Sequence, residues 1–424
     1  MLKVQVENSI LSKKWYSSSH LIQKYVADFV RRNAFLSFFE EELKTKTATF
    51  LYQWVDSIEM GATDALRAEL AEAGFMRSGQ SATTTSYTHP DFPLSSVILK
   101  EETTPFCSIS LRVNSLGDFL MSNTIHTWID GSPFSPFRRA CISKENGIFV
   151  YAIERRAPFA QKPGAQDVNA MSRYVQCYEQ YQTRARKVYG QEEQDALRNA
   201  LFLAEDLVQD IGQDAAASVV LRSEVQYWLR KNYAGQFQNA RQEALGLGWQ
   251  NVTSLTFRTS RVYFADTVRF FEILGFHPIH YSWQGSNVGF GTLTMEYHPN
   301  FPRIQIEVDL SQEEGQQNFA DRTLEEWGRP GQIGFWCGVN GQSLLGAGVA
   351  RVTILSNFEE MEQKFAAEGF AVGGNENVHT NPEMWHTDPE RVQLLFESKL
   401  ITREKKEELL SNGFEGSTLG FFLT

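Results

Sequence analysis

LAEAGF at 70–75, FEILGF at 271–276 and FAAEGF at 365–370 share one local grammar: each closes a helical pattern with a glycine and opens the next segment with phenylalanine. Gly74, Gly275 and Gly369 suit the left-handed turn that ends a helix, and each following Phe suits the start of a buried strand. Acidic residues stand near the helix starts (Asp64, Asp266, Glu359, Glu360), where the helix dipole favours them. A second match accompanies the first. TSYTHPDFP at 85–93 returns as MEYHPNFP at 295–302, and both lead into apolar strands, SSVILKEE and RIQIEVDL. Either two His-Pro turns coincide or a helix-plus-hairpin unit has been duplicated. The duplication predicts an α+β fold of paired βαβββ modules with added helices, in two copies, or three with the carboxyl-terminal one.

Outward from these units, residues 20–48 read as helical, since Leu21, Ile22, Val26, Phe29 and Val30 recur at three- and four-residue steps. The Pro- and Gly-containing stretch 160–170 reads as a linker, 171–246 as a long helical region, and 311–346 as a loop-rich insertion. The expected organisation is a helical segment over 1–48, a first lobe over 49–160, a helical bridge over 171–246 and a second lobe over 249–424.

Composition sets the outer limits. The 424 residues are 42% hydrophobic and 13% aromatic, enough for real cores, and at about 150 residues per domain they predict two or three domains. With 51 Asp+Glu against 40 Lys+Arg the net charge is −11, which argues against nucleic acid or an anionic membrane as partner. Cys107, Cys141, Cys177 and Cys337 lie far apart, as free thiols of a reducing compartment do; with no apolar run of spanning length and no secretory leader pattern, the expectation is a cytoplasmic protein. A protein partner is not readable.

The strands alternate. Val252, Ser254, Thr256 and Arg258 oppose Leu255 and Phe257; Arg303, Gln305, Glu307 and Asp309 oppose Ile304, Ile306, Val308 and Leu310. Ser108, Ser110 and Arg112 oppose Ile109 and Leu111, and Arg351 and Thr353 oppose Val352 and Ile354. The apolar faces pack on helices, so the polar faces are either open to solvent or line a cup. Arg112, Arg258 and Arg351, near strand ends, suit bidentate capture of a carboxylate or phosphate.

TSLTFRT at 253–259, FEILGFHPIHYS and YHPNFPRIQIEVDL resemble the 2-oxoadipate dioxygenase/decarboxylase (hydroxyglutarate synthase) family of the vicinal-oxygen-chelate superfamily, and GFEGSTLGFFLT is similar to that family's carboxyl-terminal segment. The resemblance covers roughly 249–424, best over 253–310. It implies duplicated vicinal-oxygen-chelate-like modules and a site for a 2-oxo-acid carboxylate at Arg258. It also implies an iron-type metal held by two His and one Glu. Here the first His position falls on Ser254 and the second on Arg351; the Glu has no counterpart, Glu307 and Asp309 being only nearby carboxylates. Arginine is no metal ligand and serine an unusual one, so no metal ligand is assigned and the cofactor stays open.

Other candidates are weaker. His379, His386, Asp388 and Glu390 cluster in a loop, with a metal the minor reading. His277 and His280 read as packed or turn residues, His89 and His298 as strand entry, Cys107 and Cys337 as structural thiols. GVNGQSLLGAGVA at 338–350 reads as a flexible turn, and no phosphate loop or nucleophile elbow appears. Glu154, Arg155 and Arg156 read as a solvated strand end or, alternatively, a pocket edge.

Two functions follow. One is an enzyme, a lyase or oxidoreductase, that binds a small carboxylate through Arg258, Arg351, Arg112 and Ser254 and uses Glu307 or Asp309 as acid/base. The other is a metal-free module that binds a ligand or a protein.

Overall fold

The computed structural model describes residues 18–89, 92–101, 107–156, 168–285, 288–298, 300–320, 323–373 and 379–423. The first helical stretch is two helices, α1 over 18–32 and α2 (Ala34–Thr47). They part at Asn33, whose side chain caps α2 by accepting the Leu36 N–H at 3.1 Å.

The first sheet then follows as two units. One runs β1 (Val55–Gly61), α3 (Asp64–Glu72), β2 (Met76–Gln80), β3 (Thr84–His89), β4 (Phe92–Lys100). The other runs β5 (Cys107–Val113), α4 (Leu116–Ser122), β6 (Ile129–Asp130), β7 (Phe137–Glu145), β8 (Ile148–Arg155). Four helices come next: α5 (Val168–Gln182), α6 (Glu192–Ile211), α7 (Gln213–Leu229) and α8 (Tyr233–Glu243). The expected linker at 160–170 lies outside the described residues up to 167, and 168–170 already belong to α5.

The second sheet repeats the first. One unit is β9 (Val252–Arg258), α9 (Phe264–Ile273), β10 (His277–Gly285), β11 (Val288–Glu296), β12 (Arg303–Ser311). An insertion carrying α10 (Gln312–Gly315) and α11 (Gln332–Asn340) leads to the last unit: β13 (Arg351–Ser356), α12 (Phe358–Ala367), β14 (Val372–Gly373), β15 (His379–Thr380) and β18 (Thr418–Leu423). Between β15 and β18 the chain inserts β16 (Met384–Trp385), α13 (Pro389–Glu397), α14 (Arg403–Asn412) and β17 (Phe414–Glu415).

The strand orders, β2-β3-β4-β1-β5-β8-β7-β6 and β10-β11-β12-β9-β13-β18-β15-β14, are the same pattern twice. In every unit the first strand pairs in parallel with the last, and two units join through an antiparallel centre, β1 with β5 and β9 with β13. The architecture is therefore α+β, built from duplicated βαβββ modules with helices added, as the repeats predict. The number of units is four rather than two or three.

The unit that the repeats miss is β5–β8, and its helix cap explains why. All four module helices end with one hydrogen bond, from the residue after the left-handed position back to the last turn: Phe75 N–H to Leu70 O, Ile125 to Leu120, Phe276 to Phe271 and Phe370 to Phe365, at 2.9–3.0 Å. Three of the turns hold glycine (φ 88°, 95° and 83°), but the second holds Thr124 at φ 54°. The geometry is conserved within the chain while its sequence signature is not.

Each lobe has its own core. Ile58, Val97, Ile109, Leu111 and Val150 of the first sheet pack with α1, α2 and Phe119 of α4. In the second lobe Leu255, Phe257, Ile304, Ile306 and Val352 pack with α9 and with the bridge helices α5–α7. The helical bridge thus forms the back of the second lobe. Among the described residues no helix is long and apolar enough to cross a membrane.

Candidate functional site

The strand alternation places Arg258, Glu307 and Arg351 on one face of the second sheet. Glu307 lies directly across from Arg258, and Arg351 is a neighbour through Thr256. There the three side chains meet each other. Arg258 Nε donates to Glu307 Oε2 at 2.9 Å and Arg351 Nη2 to Glu307 Oε1 at 2.7 Å. Burial alone pushes the Glu307 carboxyl up, but the two guanidinium groups outweigh it and hold it below the ordinary range. A carboxylate so held accepts hydrogen bonds; it does not exchange protons near neutrality.

Nor is this face an open cup. The insertion after β12 folds back over it. Trp336 of α11 stands 5.1 Å from the Arg258 guanidinium, and Ser343 exchanges backbone hydrogen bonds with Arg258, its Oγ accepting the Arg258 N–H at 2.9 Å. Asp309, the other acid/base candidate, anchors this cover. It is 2% exposed and accepts the Ile333 and Gly334 N–H groups at 2.9 and 2.7 Å, capping the N-terminus of α11. The stretch 338–350 is correspondingly a largely buried part of the cover, not a flexible turn. Cys337 is buried in it, and burial pushes its thiol up.

An iron-type metal does not fit these residues. Both Glu307 oxygens are taken by guanidinium groups, Asp309 is bound to backbone N–H groups, and the positions where the resemblance would put histidines carry Ser254 and Arg351. Among the described residues no three His, Cys, Asp or Glu side chains gather as a metal centre requires. In the 379–390 loop, Asp388 instead caps α13 and accepts from Tyr189 Oη at 2.8 Å. His298 Nδ1 accepts the Asn300 N–H at 3.2 Å, a turn role; Pro90, Asp91 and Pro299 of the two His-Pro turns lie outside the described residues.

The same clamp recurs elsewhere. Asp56, in a β-bulge of β1, lies between Arg112 Nε (3.3 Å) and Arg155 Nη2 (2.7 Å). Glu154 lies between Arg138 and Arg156, at 2.9 and 2.8 Å, and Glu224 of α7 is bound by Arg184 and Arg186. The Glu154–Arg156 segment is no solvated strand end: Glu154 is buried and also accepts the Leu116 N–H.

Two of these clamps border the opening that the strand pattern does not predict. Between the lobes and the bridge lies a cavity of about 160 Å3, open to solvent at one side. Arg112, Arg155 and Arg156 of the first lobe, Arg222 of α7 and Glu243 of α8 supply its charges. Arg112 also reaches the second lobe, Nη2 donating to Asn300 Oδ1 at 3.2 Å. Arg222 is exposed and has no hydrogen-bond or ion-pair partner among the described residues. Partial desolvation and Asp118 nearby push the carboxyl of Glu243 up. Of the four expected anion contacts, Arg112 reaches this cavity while its Nε is engaged with Asp56; Arg258 and Arg351 are committed to Glu307, and Ser254 is not on its wall.

No family model matches the chain, and no curated protein matches it. Solved structures similar to it include a variant of 4-hydroxymandelate synthase from Streptomyces coelicolor, 10% identical over 87% of this chain and 90% of that one, with a TM-score of 0.24. Catechol 2,3-dioxygenase is 8% identical over 87% of each chain, TM-score 0.19. Methylmalonyl-CoA epimerase in complex with methylmalonyl-CoA is 12% identical over 41% of this chain and 95% of that one, TM-score 0.20. These are distant likenesses, and the chemistry of the chain is read from its own residues.

Proposed function

We propose that the protein binds a small carboxylate, without a metal, in the cavity between its lobes. One observation carries this reading: four arginines and one glutamate line a single cavity, and one of those arginines, Arg222, has no partner among the described residues. Guanidinium groups match carboxylate geometry in bidentate fashion, and a partly buried position strengthens the attraction. The second lobe is in this reading a divergent relative of the 2-oxoadipate dioxygenase/decarboxylase family, on the strength of 253–310, that keeps the module arrangement and has replaced the metal by the Arg258–Glu307–Arg351 clamp. No proton transfer is assigned to Glu307 or Asp309. The non-catalytic alternative is therefore preferred to the lyase or oxidoreductase.

Calorimetric titration tests it, with hexanoate and 2-oxoadipate injected into protein at pH 7 and low salt. Both acids should release or absorb heat at one site per chain, and Arg222→Ala should weaken binding about tenfold or more, the worth of one charged hydrogen bond. Absence of binding by every acid, or unchanged affinity in Arg222→Ala, overturns the reading.

A further inference from the structure

The arginines account for only part of the cavity wall. Leu221 and Val225, one turn apart on α7, face it together with Trp249, Val252 and Phe301. All but Trp249 are buried aliphatic or aromatic side chains at 5–9% exposure, so the little surface they keep is available to an occupant of the cavity. Charge is supplied mainly by the first lobe and by Arg222, and apolar surface by these five side chains, with Tyr178, Ser218, Gln226 and Gln250 also on the wall. Trp249 presents its ring edge-to-face to Trp228 at 5.9 Å, and its indole Nε1 meets no acceptor among the described residues. Covering the apolar surface that these side chains keep would be favourable. A cavity of about 160 Å3 is close in size to one that accepts a benzene-sized apolar body.

We infer that the ligand is an amphiphilic acid: a carboxylate held by the arginines, carrying an apolar body of about six carbons against Leu221, Val225, Trp249, Val252 and Phe301. This deepens the anion-binding reading and rests on it. Short polar acids satisfy the charges alone and leave this wall wet.

A chain-length series separates the two claims. Acetate, butyrate and hexanoate are titrated into the full-length protein, with hexan-1-ol as the uncharged counterpart of the longest. Each methylene buried on the apolar wall contributes about fourfold in affinity, so hexanoate should bind about fifteenfold more tightly than butyrate. Hexan-1-ol should bind at least tenfold more weakly than hexanoate, having lost the charged contact. If all three acids bind with equal affinity, the cavity takes anions without reading their bodies; the inference fails and the anion-binding reading stands. If no acid binds, or hexan-1-ol binds as tightly as hexanoate, the anion-binding reading fails and the inference goes with it.

Discussion

Replacing Glu307 with alanine would leave the Arg258 and Arg351 guanidinium groups facing each other without a counter-charge. The Glu307 side chain is 4% exposed, and both of its oxygens are used, at 2.9 and 2.7 Å. Breaking a fully buried ion pair by removing one partner costs about 3–5 kcal/mol. Arg258 and Arg351 are 19% and 23% exposed, so water relieves part of their repulsion, and the lower end, about 3 kcal/mol, applies. For a lobe the size of the second this lowers the thermal midpoint by about 6–12 °C. The assay is calorimetric or circular-dichroism melting of wild type, Glu307→Ala and the triple variant Arg258→Met, Glu307→Leu, Arg351→Met. Because a buried clamp replaced entirely by apolar groups of similar size is often neutral in stability, the triple variant should melt near wild type. A melt of Glu307→Ala within about 2 °C of wild type, or a triple variant as unstable as the single one, refutes the clamp as the reason for these residues.

Three further expectations follow from the same geometry. Asp56, Glu224 and Glu307 are each buried, which raises a carboxyl, yet each is held below its ordinary range by paired arginines. The folded values lie below the unfolded ones near 4, so their contribution is complete above about pH 4.3 and is lost as pH falls through the folded values; denaturant midpoints should be flat in this respect above pH 5 and fall below pH 4, less steeply in the triple variant. Lys231 Nζ, partly buried against Trp385 and donating to the Gly346 and Ala347 carbonyls, is pushed down to about 8 by desolvation and by Arg186 and Arg391. Its folded value lies below the unfolded one near 10.4, so the unfolded chain holds more protons in between, and wild type should gain stability relative to Lys231→Met between pH 8 and about 10.4; a constant difference contradicts this. Thr124→Gly should stabilise the first lobe by up to about 1 kcal/mol in urea titration, by relieving the left-handed turn. Gly275→Ala should destabilise the second, because its Cβ would stand 2.8 Å from the Tyr297 ring and 2.9 Å from Gln213 Cδ at φ 95°; equal effects in the two variants would contradict the cap reading.

Much of the fold is legible in the sequence because helix ends and strand faces obey local rules. A glycine followed by phenylalanine marks three of the module caps, and alternation alone puts Arg258, Glu307 and Arg351 on one face. Thr124 and Ile125 hide the fourth cap, since threonine gives no hint of a left-handed turn. Alternation also cannot say what lies over a face. The cover is α11, and its signal, the apolar Ile333, Trp336 and Cys337 within an otherwise glycine- and glutamine-rich stretch, has no periodicity long enough to read as a helix. The cavity is the least legible part. Arg112, Arg155, Arg222, Trp249 and Asn300 come from both lobes and the bridge, and only the packing of these bodies brings them together. Arg112 and the Glu154-Arg155-Arg156 run at the end of β8 are its local traces.

The central question is where the anion site lies: in the proposed reading, in the cavity between the lobes and not on the covered face of the second sheet. Calorimetric titration of hexanoate into wild type, Arg222→Ala and Arg351→Met, each checked for folding by circular dichroism, measures this directly. Arg222→Ala should lose about tenfold or more in affinity while Arg351→Met binds as wild type does. Full affinity in Arg222→Ala together with loss in Arg351→Met would put the site on the sheet face and contradict that reading.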